Sequence, residues 1–189
     1  DFLDHDQRYA RTDEYIEILK KVWLSSAPFD HSGDYYQFEK AYSEVRPFQS
    51  PQVPIYFGGI SSAALAVGAR HADVYALFGE SRANISQLIA SINRLAASHQ
   101  RTPKYQLSFR PIIASTEAAA WQKAETILTA VKPVQARPAA PEAETAKRLL
   151  RLSAQGDILD ERLWTPIAAA AGGSGNTTAL VGTAEQVAD

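Results

Sequence analysis

The sequence predicts an α/β protein whose core is a parallel β-sheet buried on both faces. Two observations lead to this prediction. From residue 53 onward, short apolar runs typical of strands alternate with helical stretches, and 46% of the 189 residues are hydrophobic, which is enough for a sizeable core. The strand–helix order by itself leaves open whether the sheet is doubly wound or closed into a barrel.

The first element is predicted to be a helix from about Asp6 to Leu24. Asp4 is placed as its N-cap, and Gln7 stands at the position that completes a capping box. Glu17 and Lys21 are predicted to form an i,i+4 ion pair. The inner face is predicted from apolar residues at three- and four-residue spacing, namely Tyr9, Thr12, Ile16, Leu19 and Trp23.

A β-hairpin is predicted next, because turn residues stand between aromatic residues in the segment 29–38. Three strand–helix units follow it. The predicted strands are 53–57, 73–78 and 105–114. The predicted helices are 61–71, one with the stripe Ile85, Leu88, Ile89, Ile92 and Leu95, and one that begins at Thr116 and runs through Trp121, Ala124 and Leu128.

The last third of the chain departs from this alternation. A Pro/Ala-rich connector (132–141) precedes a polar helix (142–155), an apolar pair with an alanine run, and a glycine-rich stretch (172–176). Residues 183–189 are typical of the first turns of another helix. Because a domain normally ends in a linker, we expect the chain to be an interior piece of a larger fold.

Composition excludes several classes of function. The net charge of −2 comes without a basic patch, so we predict neither a nucleic-acid surface nor a polybasic membrane surface. No apolar run approaches the ~20 residues that span a bilayer, and no signal peptide opens the chain, so we expect a cytoplasmic protein. Without cysteine there are no disulfides, and with four scattered histidines we predict no metal site.

A candidate anion site lies in the segment 58–62, where a predicted strand turns into a helix. Gly58 and Gly59 permit a close approach of the backbone, and the free N–H groups of the helix start would bind a phosphate together with the hydroxyls of Ser61 and Ser62. The structural alternative is that Ser61 is only an N-cap.

His5 and Tyr9 share one helical face because they lie four residues apart, so both could hydrogen-bond a ligand over that face. The alternative is a solvated histidine and an ordinary half-buried tyrosine.

Ser108 and Arg110 lie two apart in a predicted strand and therefore point to the same side. A buried guanidinium needs a partner, which is either a ligand anion or Glu80 at the end of the preceding strand. We rank the ligand first. Pro111 lacks a ladder donor and indicates a bulge, and bulges are common near active sites.

The order and spacing of several motifs resemble the bacterial luciferase-like flavin monooxygenases, and within them the alkanesulfonate monooxygenase branch. The likeness covers almost the whole chain. The motifs are His5-Asp6-Gln7-Arg8-Tyr9, Asp13-Glu14-Tyr15, Pro54-Ile55-Tyr56-Phe57-Gly58-Gly59-Ile60-Ser61-Ser62-Ala63-Ala64, Ala72-Asp73-Val74-Tyr75 and Thr178-Ala179-Leu180-Val181-Gly182.

This resemblance implies a (β/α)₈ barrel of about 250 residues or more. Residues 1–189 would form part of that single domain, with strands five to seven and, at 132–177, an insertion or lid before strand eight. We expect such a piece not to fold stably alone, because a partial barrel exposes strand edges and apolar helix faces.

The resemblance also implies a chemistry. Family members take reduced FMN, or in some relatives F420, from a separate reductase, react it with O₂ and oxygenate a small substrate, which in the alkanesulfonate branch is a sulfonate. We expect a homo-oligomer when full length. Carried over, Ser61 and Ser62 would contact the flavin phosphate, and His5 and Tyr9 would contact the FMN. Gly59 is placed with them in the cofactor-binding site.

We place Arg110 and Ser108 in the catalytic site, and the loop Gly172–Gly175 as the lid that closes after flavin binds. Two positions depart from the alkanesulfonate pattern. Ser108-Phe109-Arg110 stands where that branch has Arg-x-His, and Ala171 stands where it has an arginine. The alternatives are an F420- or FMN-dependent hydride-transfer enzyme of the same fold and a non-catalytic flavin-binding scaffold.

Overall fold

A computed structural model describes residues 2–131, 143–173 and 178–188, and in them helices and strands alternate as an α/β fold requires. The predicted connector 132–141 lies outside the described residues. The elements are α1 (His5–Leu24), β1 (Phe29–Ser32), β2 (Gln37–Ala41), β3 (Tyr56–Gly58), α2 (Ser62–His71), β4 (Val74–Phe78), α3 (Arg82–Ala97), β5 (Lys104–Ser108), β6 (Arg110–Ile113), α4 (Glu117–Val131), α5 (Glu144–Ser153), β7 (Ile158–Leu159), β8 (Leu163–Trp164), α6 (Pro166–Ala170), β9 (Ala179–Gly182) and α7 (Ala184–Ala188).

The chain forms two compact units. Unit 1 holds residues 1–75 and 92–105, and unit 2 holds residues 76–91 and 106–189. The strands form a hairpin of β1 and β2, a sheet in the order β3-β4-β5 and a sheet in the order β6-β9-β8-β7.

In unit 1, α1 begins as predicted. The Asp4 carboxylate accepts the Gln7 N–H at 2.8 Å, and the Gln7 side chain accepts the Asp4 N–H at 3.1 Å, which completes the capping box. Ile16 is buried as expected, but so is Ile18, which lies outside the predicted stripe. The two side chains point about 160° apart around the helix, so α1 is covered on more than one side.

The predicted ion pair of Glu17 with Lys21 is wrong, because Glu17 binds the guanidinium of Arg70 on α2. Asp13, one turn earlier on α1, binds the other terminal nitrogen of the same guanidinium. A planar guanidinium can bridge two carboxylates one turn apart, and this geometry outcompetes a flexible lysine on the same helix.

The predicted hairpin is confirmed, and β1 pairs with β2 in antiparallel register. The Glu14 carboxylate on α1 attaches this hairpin to the helix. Glu14 accepts hydrogen bonds from the His31 ring at 2.8 Å and from the backbone N–H groups of Tyr35 and Tyr36 at 3.0 and 2.9 Å. The hairpin is therefore tied to α1 through its turn.

Asp73 joins the starts of β3, β4 and β5. Its backbone N–H donates to Ile55 O and its backbone oxygen accepts from Lys104 N, both at 2.9 Å. Its carboxylate accepts from Ile55 N at 2.8 Å and from Arg101 Nη2 at 2.7 Å. At the carboxyl ends of β4 and β5, Gly79 N donates to Ser108 O at 2.9 Å. With the bond between Asp73 and Lys104 at their starts, this shows that β4 and β5 run parallel.

The single strand predicted for 105–114 is interrupted in the structure at Phe109, between β5 and β6. The Phe109 ring lies against Gly79, where a Cβ atom would come within 2.0 Å of it. Beyond the break, β6 pairs in parallel with β9, with Arg110 opposite Ala179. β9 is thus a parallel strand beyond the three that the resemblance implied.

The core of unit 2 lies where α4 covers the β6–β9 pair. Its buried members are Ile112, Ala120, Ala124, Leu128, Trp164, Ala179 and Val181. Residues 158–164 add the antiparallel strands β7 and β8 beside β9, so this sheet is mixed rather than parallel throughout.

The predicted burial of the strands on both faces is confirmed for β4 and β9. It is wrong for β3, β5 and β6, in which residues either alternate between covered and exposed or are mostly exposed. Tyr56, Leu107 and Ile113 are more than two fifths exposed, because the described residues leave one side of these strands uncovered. Leu95 was predicted in the core but is exposed, whereas Ala96 is buried.

No helix in the described part of the chain is both long and apolar enough to cross a bilayer.

Candidate functional site

The β3–α2 turn, residues 58–62, lies in unit 1. Ser61 caps α2, because its hydroxyl oxygen accepts the Ala64 N–H at 3.3 Å and its carbonyl accepts the Leu65 N–H at 2.8 Å. Helix geometry then leaves the N–H groups of Ser62 and Ala63 without an intrahelical acceptor. No acidic residue stands in the first turn of α2, and Ser62 is exposed. The turn therefore offers hydroxyl and backbone N–H donors to an anion, with no acidic residue in the first turn of α2.

Two tyrosines fix the shape of this turn. The fully buried Tyr75 donates its hydroxyl to Gly59 O at 2.7 Å. Burial raises the pKa of Tyr75, so the hydroxyl stays a donor at neutral pH. Gly59 has φ +140°, and a Cβ atom there would lie 2.7 Å from Ala64 Cβ and 3.1 Å from Tyr9 Oη. Only glycine fits, and the Tyr9 hydroxyl lies directly beside the turn.

His5 extends this cluster along α1. Its ring centroid is 5.0 Å from that of Tyr9, and its Nδ1 contacts the Asp6 carboxylate at 2.7 Å on an exposed face. The structure thus brings the five predicted cofactor residues to one region of unit 1. The alternative readings hold as well, since Ser61 is an N-cap and His5 is solvated. A capping oxygen that accepts one hydrogen bond still has its own O–H to donate.

The predicted catalytic pair lies in unit 2, and the structure corrects its setting. The break at Phe109 places Ser108 at the end of β5 and Arg110 at the start of β6, so they do not share a continuous strand. Arg110 is exposed rather than buried, and its backbone N–H donates to Thr178 O at 3.0 Å. Thr178, just before β9, is fully buried and donates its hydroxyl at 2.7 Å to the carbonyl of Gly79, just after β4.

Glu80 carries a buried carboxylate whose partner the sequence did not reveal. It is buried at the end of β4, and its carboxylate accepts from Arg148 Nε at 2.5 Å and from Asn84 Nδ2 at 3.1 Å. Arg148 on α5, and not Arg110, therefore makes the salt bridge of Glu80. Arg148 lies 68 residues further along the chain, and no local pattern marks it.

Only the start of the predicted lid can be described. Gly172 and Gly173 have φ of +61° and +70°, and a Cβ atom on Gly173 would lie 2.4 Å from Ala146 O. Gly173 is thus required where α6 ends against α5. Ala171, which stands where the alkanesulfonate branch has an arginine, is buried. The rest of the loop lies outside the described residues. In the described ranges, no three His, Asp or Glu side chains are grouped to hold a metal ion.

Solved structures of similar proteins share this fold. The chain superimposes on an EDTA monooxygenase (EmoA) from Chelativorans sp. BNC1 with a TM-score of 0.75 and 18% identity, over 100% of this chain and 52% of that one. A riboflavin lyase (RcaE), solved with modified FMN and riboflavin, gives 0.72 and 20% over 100% and 50%. The coenzyme F420-dependent tetrahydromethanopterin reductase of Methanopyrus kandleri gives 0.62 and 16% over 95% and 52%.

The chain therefore spans about half the length of these proteins, which agrees with the expected partial barrel. The family described as luciferase-like monooxygenase matches residues 2–189, which is almost the whole chain. The match does not distinguish the alkanesulfonate branch from the others. On this evidence, the chain belongs to the luciferase-like monooxygenase family.

Proposed function

We propose that this chain is part of a flavin-dependent monooxygenase that uses reduced FMN and O₂ to oxygenate a small organic substrate. The observation that supports this most directly is the β3–α2 turn, which offers hydroxyls, free N–H groups and the neighbouring Tyr9 at the end of a strand. The family match supports the same reaction class. FMN, when bound, would supply the electrons for the reaction with O₂.

Ser61 and Ser62 would hold the flavin phosphate through their hydroxyls, joined by the N–H groups that begin α2. Tyr9 and His5 would contact the same cofactor from α1, and Gly59 would let it approach the backbone. Tyr75 would act from behind, because its buried hydroxyl fixes the Gly59 carbonyl. A rigid turn would present its donors to the phosphate without reorganisation.

Arg110 is our candidate for orienting an anionic substrate, with Ser108 beside it. Its exposed position at the start of β6 leaves the side chain within reach of solutes. An alkanesulfonate is one candidate substrate, although the sequence around Arg110 departs from that branch. We further propose a separate flavin reductase as partner, a homo-oligomer, and a cytoplasmic location.

A second candidate is a hydride-transfer oxidoreductase that uses F420 or FMN without O₂. The similarity to an F420-dependent reductase favours it, because the same fold serves that cofactor there. A non-catalytic flavin-binding scaffold is the third outcome that the experiments below distinguish.

The phosphate site is tested by titrating the full-length protein anaerobically with reduced FMN and, separately, with reduced riboflavin, which lacks the phosphate. Replacing Ser62 with Ala should weaken FMN binding by about tenfold, the effect of losing one hydrogen bond to a charged group, and leave riboflavin binding unchanged. Ser91→Ala on the surface of α3 is the matched control. Equal loss for both ligands, or no loss for FMN, would contradict the assignment.

The reaction class is tested by mixing the complex of protein and reduced flavin with O₂ and a trial substrate, beginning with sulfonates. The amount of O₂ consumed is then compared with the amount of product formed. Consumption coupled to substrate oxidation supports a monooxygenase. Reduction or oxidation of the substrate by F420 without O₂ supports the hydride-transfer candidate. Tight flavin binding with neither oxygenation nor hydride transfer supports the non-catalytic scaffold. Unchanged turnover in Arg110→Ala would remove Arg110 from the site.

A further inference from the structure

Unit 1 carries a second cluster of ionisable side chains, at the opposite end of α2 from the β3–α2 turn. The ten residues of α2 place His71 about 14 Å along the helix axis from Ser62. His71 is only 3% exposed, and the phosphate site makes no use of it. Around it lie charged residues of α1 and of the segments that flank β4 and β5.

Three of these side chains form a chain of hydrogen bonds. The His71 ring contacts Asp13 Oδ1 through Nε2 at 2.8 Å and Lys20 Nζ through Nδ1 at 3.1 Å. A lysine nitrogen with its protons can only donate, so Nδ1 is the acceptor and Nε2 carries the proton that is donated to Asp13. This order of carboxylate, imidazole and nucleophile is the arrangement that activates nucleophiles in enzymes.

The surroundings of Lys20 favour its neutral amine. Its pKa is lowered mainly by burial and next by the positive charge of Arg101, with Arg70 acting in the same direction. Asp73 and Glu17 oppose this effect. Arg101 binds the Asp73 carboxylate through Nη2 at 2.7 Å, and its buried Nε has no hydrogen-bond partner in the described parts of the chain.

His71 is suited to receive a proton from this amine. Its own pKa is lowered by burial and by Lys20, against the opposing effect of Asp13, so the imidazole is neutral at pH 7. When it takes up a proton, the Asp13 carboxylate stabilises the imidazolium. Lys20 is half-buried and remains reachable by a small reagent, whereas the next residue, Lys21, is exposed.

We propose that Lys20 is a site of covalent acylation, activated by the Asp13–His71 pair and modified by small activated acyl donors such as acyl phosphates. In this step the Lys20 nitrogen attacks the carbonyl carbon and a C–N bond forms. The bond from that carbon to the phosphate oxygen breaks, and the phosphate leaves with the electron pair. The proton released by the nitrogen passes through His71 Nδ1 to the phosphate or the buffer.

Acetyl phosphate is the probe for this proposal. The full-length protein is incubated with it at several pH values between 6.5 and 8.5, digested with a protease that does not cleave at lysine, and analysed by tandem mass spectrometry. Lys20 and Lys21 then lie on one peptide, and fragment ions give the acetylation rate of each. We expect Lys20 to react faster than Lys21, with the largest ratio at the lowest pH. A rate equal to or below that of Lys21 would overturn the proposal.

Variants distinguish activation of Lys20 by His71 from a mere difference in solvent exposure between Lys20 and Lys21. His71→Gln should lower the Lys20 to Lys21 ratio several-fold, because the proton acceptor is lost, whereas the effects of burial and of Arg101 on Lys20 remain. His99→Gln, an exposed histidine of the same unit, should leave the ratio unchanged. If His71→Gln does not fold, Asp13→Asn is used, with an intermediate ratio expected. A folded His71→Gln or Asp13→Asn variant that keeps the full ratio would contradict the role of the relay.

Discussion

Tyr75 links the core of unit 1 to the proposed phosphate site through a single hydroxyl. Replacing Tyr75 with Phe should lower the free energy of unfolding by about 1 to 2 kcal/mol, because the Gly59 carbonyl loses a donor in a setting shielded from water. Urea denaturation measures this loss. The same variant should bind FMN more weakly, since the turn loses its support.

Tyr105→Phe is the matched control for this substitution. Its hydroxyl donates to Asn93 Oδ1 at 2.7 Å, but this contact is exposed, so water can replace it. We expect a loss of less than about 0.5 kcal/mol and unchanged flavin binding. If both variants lose the same stability, burial of the Tyr75 hydroxyl is not what makes it important.

At the scale of elements, the β1–β2 hairpin depends on the Glu14 carboxylate. Burial would raise the pKa of Glu14, but the hydrogen bonds from His31, Tyr35 and Tyr36 outweigh it and lower the pKa below 4.5. A carboxylate with a lowered pKa stabilises the fold above pH 4.5, and the stabilisation is lost as the pH falls through the folded value. Proteolysis of the hairpin should therefore accelerate in strong acid.

Glu14→Gln should make the hairpin susceptible to proteolysis at neutral pH, because an amide supplies only one oxygen where three donors converge. Glu39→Gln on the exposed face of β2 is the control. Hydrogen exchange of β1 and β2 gives a second measure. Protection that stays equal in the two variants would contradict the proposed attachment of the hairpin through Glu14.

Local signals in the sequence sufficed for most elements. The capping residues Asp4 and Ser61 marked two helix starts, and hydrophobic spacing located α3 and α4, because these signals act within one or two turns. The break at Phe109 and the bridging of α1 to α2 by Arg70 escaped prediction. Both depend on partners distant in sequence, so no local pattern contains them.

For the candidate site, the same distinction applies. A glycine pair followed by serines identifies the β3–α2 turn from five consecutive residues. The spacing of His5 and Tyr9 puts them on one helical face, and the resemblance assigned both to the same cofactor. The Glu80–Arg148 pair could not be identified from the sequence, since it joins the end of β4 to α5, far along the chain. For β3, β5 and β6, the alternation of apolar and polar residues within each strand did not show which side of the strand is covered.

At the scale of the whole molecule, His71 makes stability depend on pH near neutrality. Its pKa lies below 6.5 in the folded chain, so in the window between 6.5 and the folded value the unfolded chain binds more protons. Acidification through this window should lower the free energy of unfolding, and the decrease should level off below the folded pKa. In a folded His71→Gln variant this part of the pH dependence should be absent, as measured by urea denaturation from pH 7.5 to 5. An unchanged slope would show that His71 is not its source.

The contact between Gly79 and Phe109 has a consequence for how these two positions can vary. The ring fills the volume that a side chain on residue 79 would need, so any larger residue there requires a smaller one at 109. Gly79→Ala and Phe109→Leu should each destabilise the protein, and the double variant should lose measurably less than the sum of the two. A double-mutant cycle that is strictly additive would contradict this coupling. Related sequences should accordingly change the two positions together, as one steric unit.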